Sequence, residues 1–210
     1  MADIRAFIVD SRGLGAFSDV LPALINERYR TEYFSSRLDQ QKMNKLAAGT
    51  LLACFAGIGP DEKLFRNESG KPYADGKDHF SISHSDHFTV LALSEDEPVG
   101  IDIERVGRVT ARIIRKVSRY ETGSASETEL ACEWTKVEAA LKQKGTGFYS
   151  DPLKLDIDAL VYSTCFYEGY CITCASEKPH VFSLDLVNTF VEDNIIKYTS
   201  ENIFRKEIET

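Results

Sequence analysis

Three strand-like patterns follow one another between Phe80 and Ile103 with no helical pattern between them, and this block most constrains the fold. Phe80-Ser81-Ile82-Ser83 alternates apolar and polar residues, Phe88 to Leu93 is almost wholly apolar, and Val99, Ile101 and Ile103 share one face of a third strand. The connections, His84 to His87 and Glu95 to Pro98, are short and polar. Helical patterns lie outside the block. One region runs from about Val20 to Ile58 and ends at Gly57, Gly59 and Pro60, and a second covers Ser126 to Lys144. Arg112 to Val117 reads as a short amphipathic segment. Ile4 to Val9 reads as a strand, as do Tyr162 to Ala175 and Val181 to Leu186, with a Glu177-Lys178-Pro179 turn between the last two. Strands and helices in blocks predict an α+β fold. Each half of the chain reads as a helix plus a few strands. The midpoint lies near Pro98 without a flexible linker, so residues 1–98 and 99–210 are expected to be two closely packed halves.

The function classes narrow through charge. The 210 residues carry a formal net charge of -8, which argues against a nucleic-acid surface but leaves room for a local basic pocket. No apolar run approaches membrane-spanning length, and Met1 to Asp10 is too short and mixed for a signal peptide, so a cytoplasmic location is expected. Five cysteines, an odd number, suggest reduced thiols. The single Cys171-Ile172-Thr173-Cys174 pair falls short of a four-ligand zinc site and reads as small apolar strand residues.

Four local patterns carry chemistry. Asp102 and Glu104 are two apart on a strand, so both carboxylates leave one face while Ile101 and Ile103 turn into a core. Adjacent carboxylates repel unless a cation lies between them, and hard oxygen donors suit magnesium; alone, the pattern also fits a solvated strand face. On the helix, Leu130, Trp134, Val137 and Leu141 form the buried stripe, with Glu138 and Lys142 one turn apart on its flank. Ser83-His84-Ser85 at a strand end offers a histidine to a phosphate, and no hydrolase triad surrounds it. Gly70-Lys71-Pro72 combines close backbone approach with a point charge.

In this order, the strings Gly70-Lys71-Pro72, Phe80-Ser81-Ile82-Ser83-His84-Ser85, Val99-Gly100-Ile101-Asp102-Ile103-Glu104, Glu133-Trp134-Thr135-Lys136-Val137-Glu138-Ala139-Ala140-Leu141-Lys142 and Gly145-Thr146-Gly147-Phe148 resemble the 4′-phosphopantetheinyl transferase family. The resemblance covers Gly70 to Phe148, and the length is similar to that of the longer, single-chain type serving peptide and polyketide synthases. It implies a monomer of two similar halves packed as a pseudo-dimer, each a small sheet with helices. It implies transfer of 4′-phosphopantetheine from coenzyme A to a serine of an acyl or peptidyl carrier protein, releasing adenosine 3′,5′-bisphosphate. Magnesium would be held by Asp102, Glu104 and Glu138. Lys142 would stabilise the phosphate under attack or the leaving group, Glu138 would also accept the serine proton, either directly or through a metal-bound water, and His84 would meet the 3′-phosphate. Lys71, Pro72 and Ser83 would lie by the adenosine end, with Arg30 and Lys45 as further cations. From the residues themselves, Arg112, Arg115, Lys116 and Arg119 would offer a basic face to an acidic carrier, or equally form a solvated basic helix face. The chain departs from the family where many members place a lysine just before the helix glutamate. Here that residue is Val137, and Lys136 points about 200° from Trp134, away from the stripe. The competing readings are a non-catalytic module that binds coenzyme A or a carrier, and another metal-dependent phosphate enzyme.

Overall fold

The computed structural model describes residues 2–207. It is an α+β protein whose layers run helix, large sheet, small sheet, helix. The strand β1 (Ala2–Asp10) opens the chain, and a helical region follows: α1 (Leu21–Leu24), α2 (Glu27–Ser35) and α3 (Asp39–Phe55). The sequence pattern suggested one helical run there. It is broken because Ile25 is extended and the Asn26 side chain starts a new helix, accepting a hydrogen bond from the Arg28 amide. A two-strand ribbon comes next, β2 (Phe65–Arg66) and β3 (Pro72–Tyr73). The central block is β4 (His79–Ser85), β5 (Phe88–Ser94) and β6 (Gly100–Arg105). Two helices, α4 (Ala111–Val117) and α5 (Glu127–Lys144), precede the last four strands. These are β7 (Val161–Tyr167), β8 (Tyr170–Ser176), β9 (His180–Glu192) and β10 (Ile195–Glu207).

The large sheet has the order β10-β9-β1-β5-β4 and the small one β6-β8-β7. Pairing is antiparallel except between β1 and β9, which run parallel. The midpoint near Pro98 thus separates β5 from β6, but the β9–β10 hairpin returns to extend the sheet of β1.

Both faces of the large sheet are covered at β5, which is why Phe88–Leu93 is almost wholly apolar. Phe7, Val9, Leu91 and Leu93 pack on Leu46, Leu51 and Leu52 of α3. Ile4, Ile8, Val90 and Phe182 pack against Ile101, Ile103, Ile172 and Cys174 of the small sheet. The cysteines Cys165 and Cys174 are therefore core residues. The other face of the small sheet carries α5, with Ala139 and Ala140 against Ala175. A capping box fixes the start of α5: Ser126 Oγ accepts from the Glu129 amide, and Glu129 accepts from the Ser126 amide. Its end is set by Gly145 at φ +67°, the left-handed position that favours glycine. Among the described residues no helix is long and apolar enough to cross a membrane.

Candidate active site

The alternation of β4 determines which chemistry faces where. Its even residues, Phe80 and Ile82, join the core beneath α3, and His84 continues on that side to meet Asn44. Its odd residues, Ser81, Ser83 and Ser85, turn toward β6. On β6 the same period buries Ile101 and Ile103 between the sheets and sends Asp102 and Glu104 to the other side, toward α5 and the serines.

The Asp102 carboxylate is almost wholly buried. Its Oδ1 accepts from Ser83 Oγ at 2.6 Å and from Lys142 Nζ at 2.6 Å, while Lys142 also donates to Ser83 Oγ at 2.8 Å. Its Oδ2 is buried with no hydrogen-bond partner. Glu104 Oε1 accepts from Ser85 Oγ at 2.6 Å and from the Arg105 amide at 2.8 Å. Glu138 follows on α5, one turn before Lys142. Burial first, and then the charges of Asp102 and Glu104, push its carboxyl up to about 7 against the pull of Lys142. These three carboxylates interact, yet among the described residues no three His, Cys, Asp or Glu side chains form a ready-made metal cluster.

Beside the carboxylates lies a cleft of about 270 Å³. Lys45, Arg66, Lys71 and Lys142 line it together with His84, and among the described residues no Asp or Glu does. Lys71 comes from the Gly70-Lys71-Pro72 turn, in which Gly70 adopts φ +86°. The Asn67 side chain ties this turn to α5: its Oδ1 accepts from the amides of Ser69 and Lys71, and its Nδ2 donates to Gly145 O at 2.8 Å. Lys71 Nζ donates to Val99 O at 2.9 Å, and burial pushes its pKa down to about 8. Lys45 and Arg66 share one counter-ion, Glu32, at 3.0 and 3.4 Å.

His84 is exposed by area but sits between the cleft walls. That desolvation, followed by the charges of Lys45 and Lys142, holds its pKa below the usual imidazole value. Gln40 Nε2 donates to Asn44 Oδ1 at 2.9 Å, so the Asn44 amide nitrogen faces His84 Nδ1 at 3.3 Å. An amide nitrogen only donates, so Nδ1 accepts and Nε2 carries the proton. The ring therefore presents a hydrogen-bond donor at Nε2.

The structure thus brings Lys45, Lys71, Pro72, His84 and Lys142 to one cleft and links Ser83, Asp102 and Lys142 at its edge. Arg30 is half-buried on α2 and does not line the cleft. Arg66, which the sequence analysis did not single out, does line it. Val137 is fully buried, and Lys136 pairs with Asp158 at 2.9 Å.

No protein-family model matches the chain. A curated relative, the 4′-phosphopantetheinyl transferase gsp of Aneurinibacillus migulanus, is 31% identical over 160 residues, which is 64% of this chain and 67% of the relative. The chain belongs to the 4′-phosphopantetheinyl transferase family. Phosphopantetheinyl transfer is accordingly its general activity. For a 4′-phosphopantetheinyl transferase the acidic overall charge and the cationic cleft are compatible, because only the cleft has to receive a phosphorylated group.

Proposed function

We propose that the chain transfers 4′-phosphopantetheine from coenzyme A to a serine of an acyl or peptidyl carrier protein, with magnesium held by Asp102, Glu104 and Glu138. The observation that carries this reading is the cleft lined by four cations and His84 without a carboxylate, opening beside three carboxylates. A polyanionic ligand would find cations along its length and oxygen donors for a metal at one end.

The donor set fits magnesium. The buried Asp102 Oδ2 lacks a partner, and Glu138 is held largely protonated below pH 7 by burial and two neighbouring negative charges. A divalent cation would satisfy the first and relieve the second. Magnesium, when bound, would neutralise the pyrophosphate and polarise the phosphorus under attack.

The chain's own groups account for the rest. The carrier serine Oγ attacks the phosphorus that bears the pantetheine arm. The bond to the adenosine 3′,5′-bisphosphate oxygen breaks, and the serine proton passes to Glu138. Burial favours a proton on this carboxyl, which suits it to accept one. Lys142, held by Ser83 and Asp102, supplies positive charge at this end, where Val137 brings none. The His84 Nε2–H is a donor for the 3′-phosphate.

The test is mass spectrometry of apo carrier protein incubated with the chain and coenzyme A. Holo carrier is expected with magnesium present and none after exhaustive chelation; undiminished transfer in chelator would remove the metal from the mechanism. His84→Ala is expected to raise the KM for coenzyme A about 10- to 100-fold, the size of a lost hydrogen bond to a charged group. It should hardly affect turnover, because the 3′-phosphate is remote from the breaking bond. With dephospho-coenzyme A the same substitution should cost little. An equal penalty on both substrates would place His84 elsewhere.

A further inference from the structure

No backbone ladder joins β4 to β6: β4 is the edge of the large sheet and β6 the edge of the small one. Side chains close the seam instead. Ser81 Oγ accepts from the Ile101 amide at 3.1 Å, Ser83 Oγ donates to Asp102 Oδ1 at 2.6 Å, and Ser85 Oγ donates to Glu104 Oε1 at 2.6 Å. The three serines are at successive same-side positions of β4 and meet successive parts of β6. All three are buried.

The pattern on the acceptor side is uneven. Every neighbour of the Asp102 carboxylate addresses Oδ1: Ser83 and Lys142, both at 2.6 Å. The neighbours of Glu104 likewise address Oε1: Ser85 at 2.6 Å, the Arg105 amide at 2.8 Å and Arg108 Nη1 at 3.8 Å. Asp102 Oδ2 is buried and unbonded, and Glu104 Oε2 takes no hydrogen bond among the described residues. The terminal torsion of a carboxylate is soft and nearly two-fold, so an unrestrained group turns freely. Donors gathered on one oxygen stop that rotation and leave the other oxygen presented. A hydroxyl has one proton, and each of these serines spends it on its carboxylate.

We propose that Ser83 and Ser85 are positioning residues that turn Asp102 and Glu104 so that each presents one oxygen to a divalent cation. This rests on the reading that these two carboxylates hold the metal. Ser85 is the cleaner probe, because Ser83 also accepts from Lys142. Without the Ser85 hydroxyl, Glu104 keeps a backbone donor and a distant guanidinium. Its carboxylate would then divide its time between orientations, and metal affinity would fall through lost preorganisation.

Manganese serves as the probe, titrated into the full chain without coenzyme A or carrier and followed by the loss of the free-ion signal in electron paramagnetic resonance. Ser85→Ala is expected to weaken binding about 10-fold or more, within the range for groups that orient metal ligands. Ser85→Thr, which keeps the hydroxyl, should return it to within about 3-fold of the parent. Asp102→Asn is measured alongside. If Asp102→Asn weakens manganese binding and Ser85→Ala does not, the positioning role is wrong while the metal site stands. If Asp102→Asn has no effect, or the parent chain binds no manganese, the metal-site reading itself fails and takes this inference with it. Circular dichroism and thermal melting accompany each variant. Should Ser85→Ala not fold, Ser85→Cys, nearly isosteric and a weaker donor, replaces it with the same expected direction; parent-like binding in that variant would overturn the proposal.

Discussion

Glu138→Gln is expected to lose roughly 10²- to 10⁴-fold in single-turnover transfer, the range for removing a positioned base, and yet to melt at a higher temperature than the parent at pH 8 without metal. Both effects follow from one cause. Burial and the charges of Asp102 and Glu104 raise the Glu138 pKa to about 7, above the 4.5 of an unfolded chain. A carboxyl with a raised folded pKa stabilises fully below the unfolded value, and that contribution is lost as pH rises through the folded one. Between pH 4.5 and 7 the parent therefore loses stability on account of this group. With the neighbouring lysine and partial exposure discounted, the loss is roughly 2 kcal/mol. Glutamine does not ionise and escapes it. The melting difference should be near zero at pH 4.5 and reach about 4–8 °C at pH 8 in chelator, by the scaling for a domain of this size. Lys142→Ala makes the contrast. It strips a buried carboxylate of its ammonium partner at 2.6 Å, so it should lower stability at neutral pH as well as rate. Glu138→Gln is also expected to cost more turnover than Lys142→Ala, because it removes a proposed ligand and a proposed base together. A Glu138→Gln chain that keeps most of its rate would make the carboxylate structural. One that melts lower than the parent at pH 8 would show that the group is not strained by its surroundings.

What the sequence made legible was whatever a two-residue or 3.6-residue period could carry. Asp102 and Glu104 share a face because β6 alternates, and Glu138 and Lys142 share a flank because α5 is one uninterrupted helix with both ends capped. The position of Lys136 away from the site followed from the helical angle alone, and its partner is Asp158. The remainder depended on tertiary placement. Arg66 belongs to a two-residue strand with no periodic signal and reaches the cleft only because the β2–β3 ribbon is held over α5 by Asn67. Asn44 and Gln40, which fix the His84 tautomer, are ordinary polar helix residues until β4 is laid beneath them. β10 escaped notice because it is an edge strand with little buried surface, so no hydrophobic alternation marks it. A usable signal was present in Asp193-Asn194, whose φ values of 52° and 58° make the two-residue hairpin turn. The helical region before α3 misled for a related reason. Apolar spacing continues across Ile25, and only Pro22 and the capping Asn26 betray the breaks.

The approach of α5 to β6 brings together the two elements that carry the proposed site, and it depends on Gly100. A Cβ built there would lie 1.9 Å from Ala139 O and 2.5 Å from the Gln143 amide nitrogen. Both are backbone atoms of a helix packed on the small sheet, so no side-chain rotation relieves the clash. Gly100→Ala must therefore push α5 away from β6 or bend the strand. Overpacking a close contact typically costs about 1–3 kcal/mol, and a clash with backbone belongs at or beyond the upper end. The melting temperature should fall by roughly 6–12 °C, by the same size scaling. The consequence for function exceeds the loss of stability. Asp102 lies two residues beyond Gly100 on β6, while Glu138 and Lys142 flank the contact on α5, so the Lys142–Asp102 hydrogen bond of 2.6 Å spans the interface that would open. A displacement of about 1 Å between reacting groups is enough to cost on the order of 100-fold in rate. Gly100→Ala is thus expected to reduce turnover by at least that factor even at temperatures where the variant remains folded. Gly123→Ala provides the comparison, since a Cβ there meets nothing within 4 Å and should leave both quantities near the parent values. If Gly100→Ala melts with the parent, the helix and strand are farther apart than described. If it melts lower but retains full turnover at 20 °C or below, roughly the temperature of maximal stability for many domains, the α5–β6 distance does not govern the chemistry.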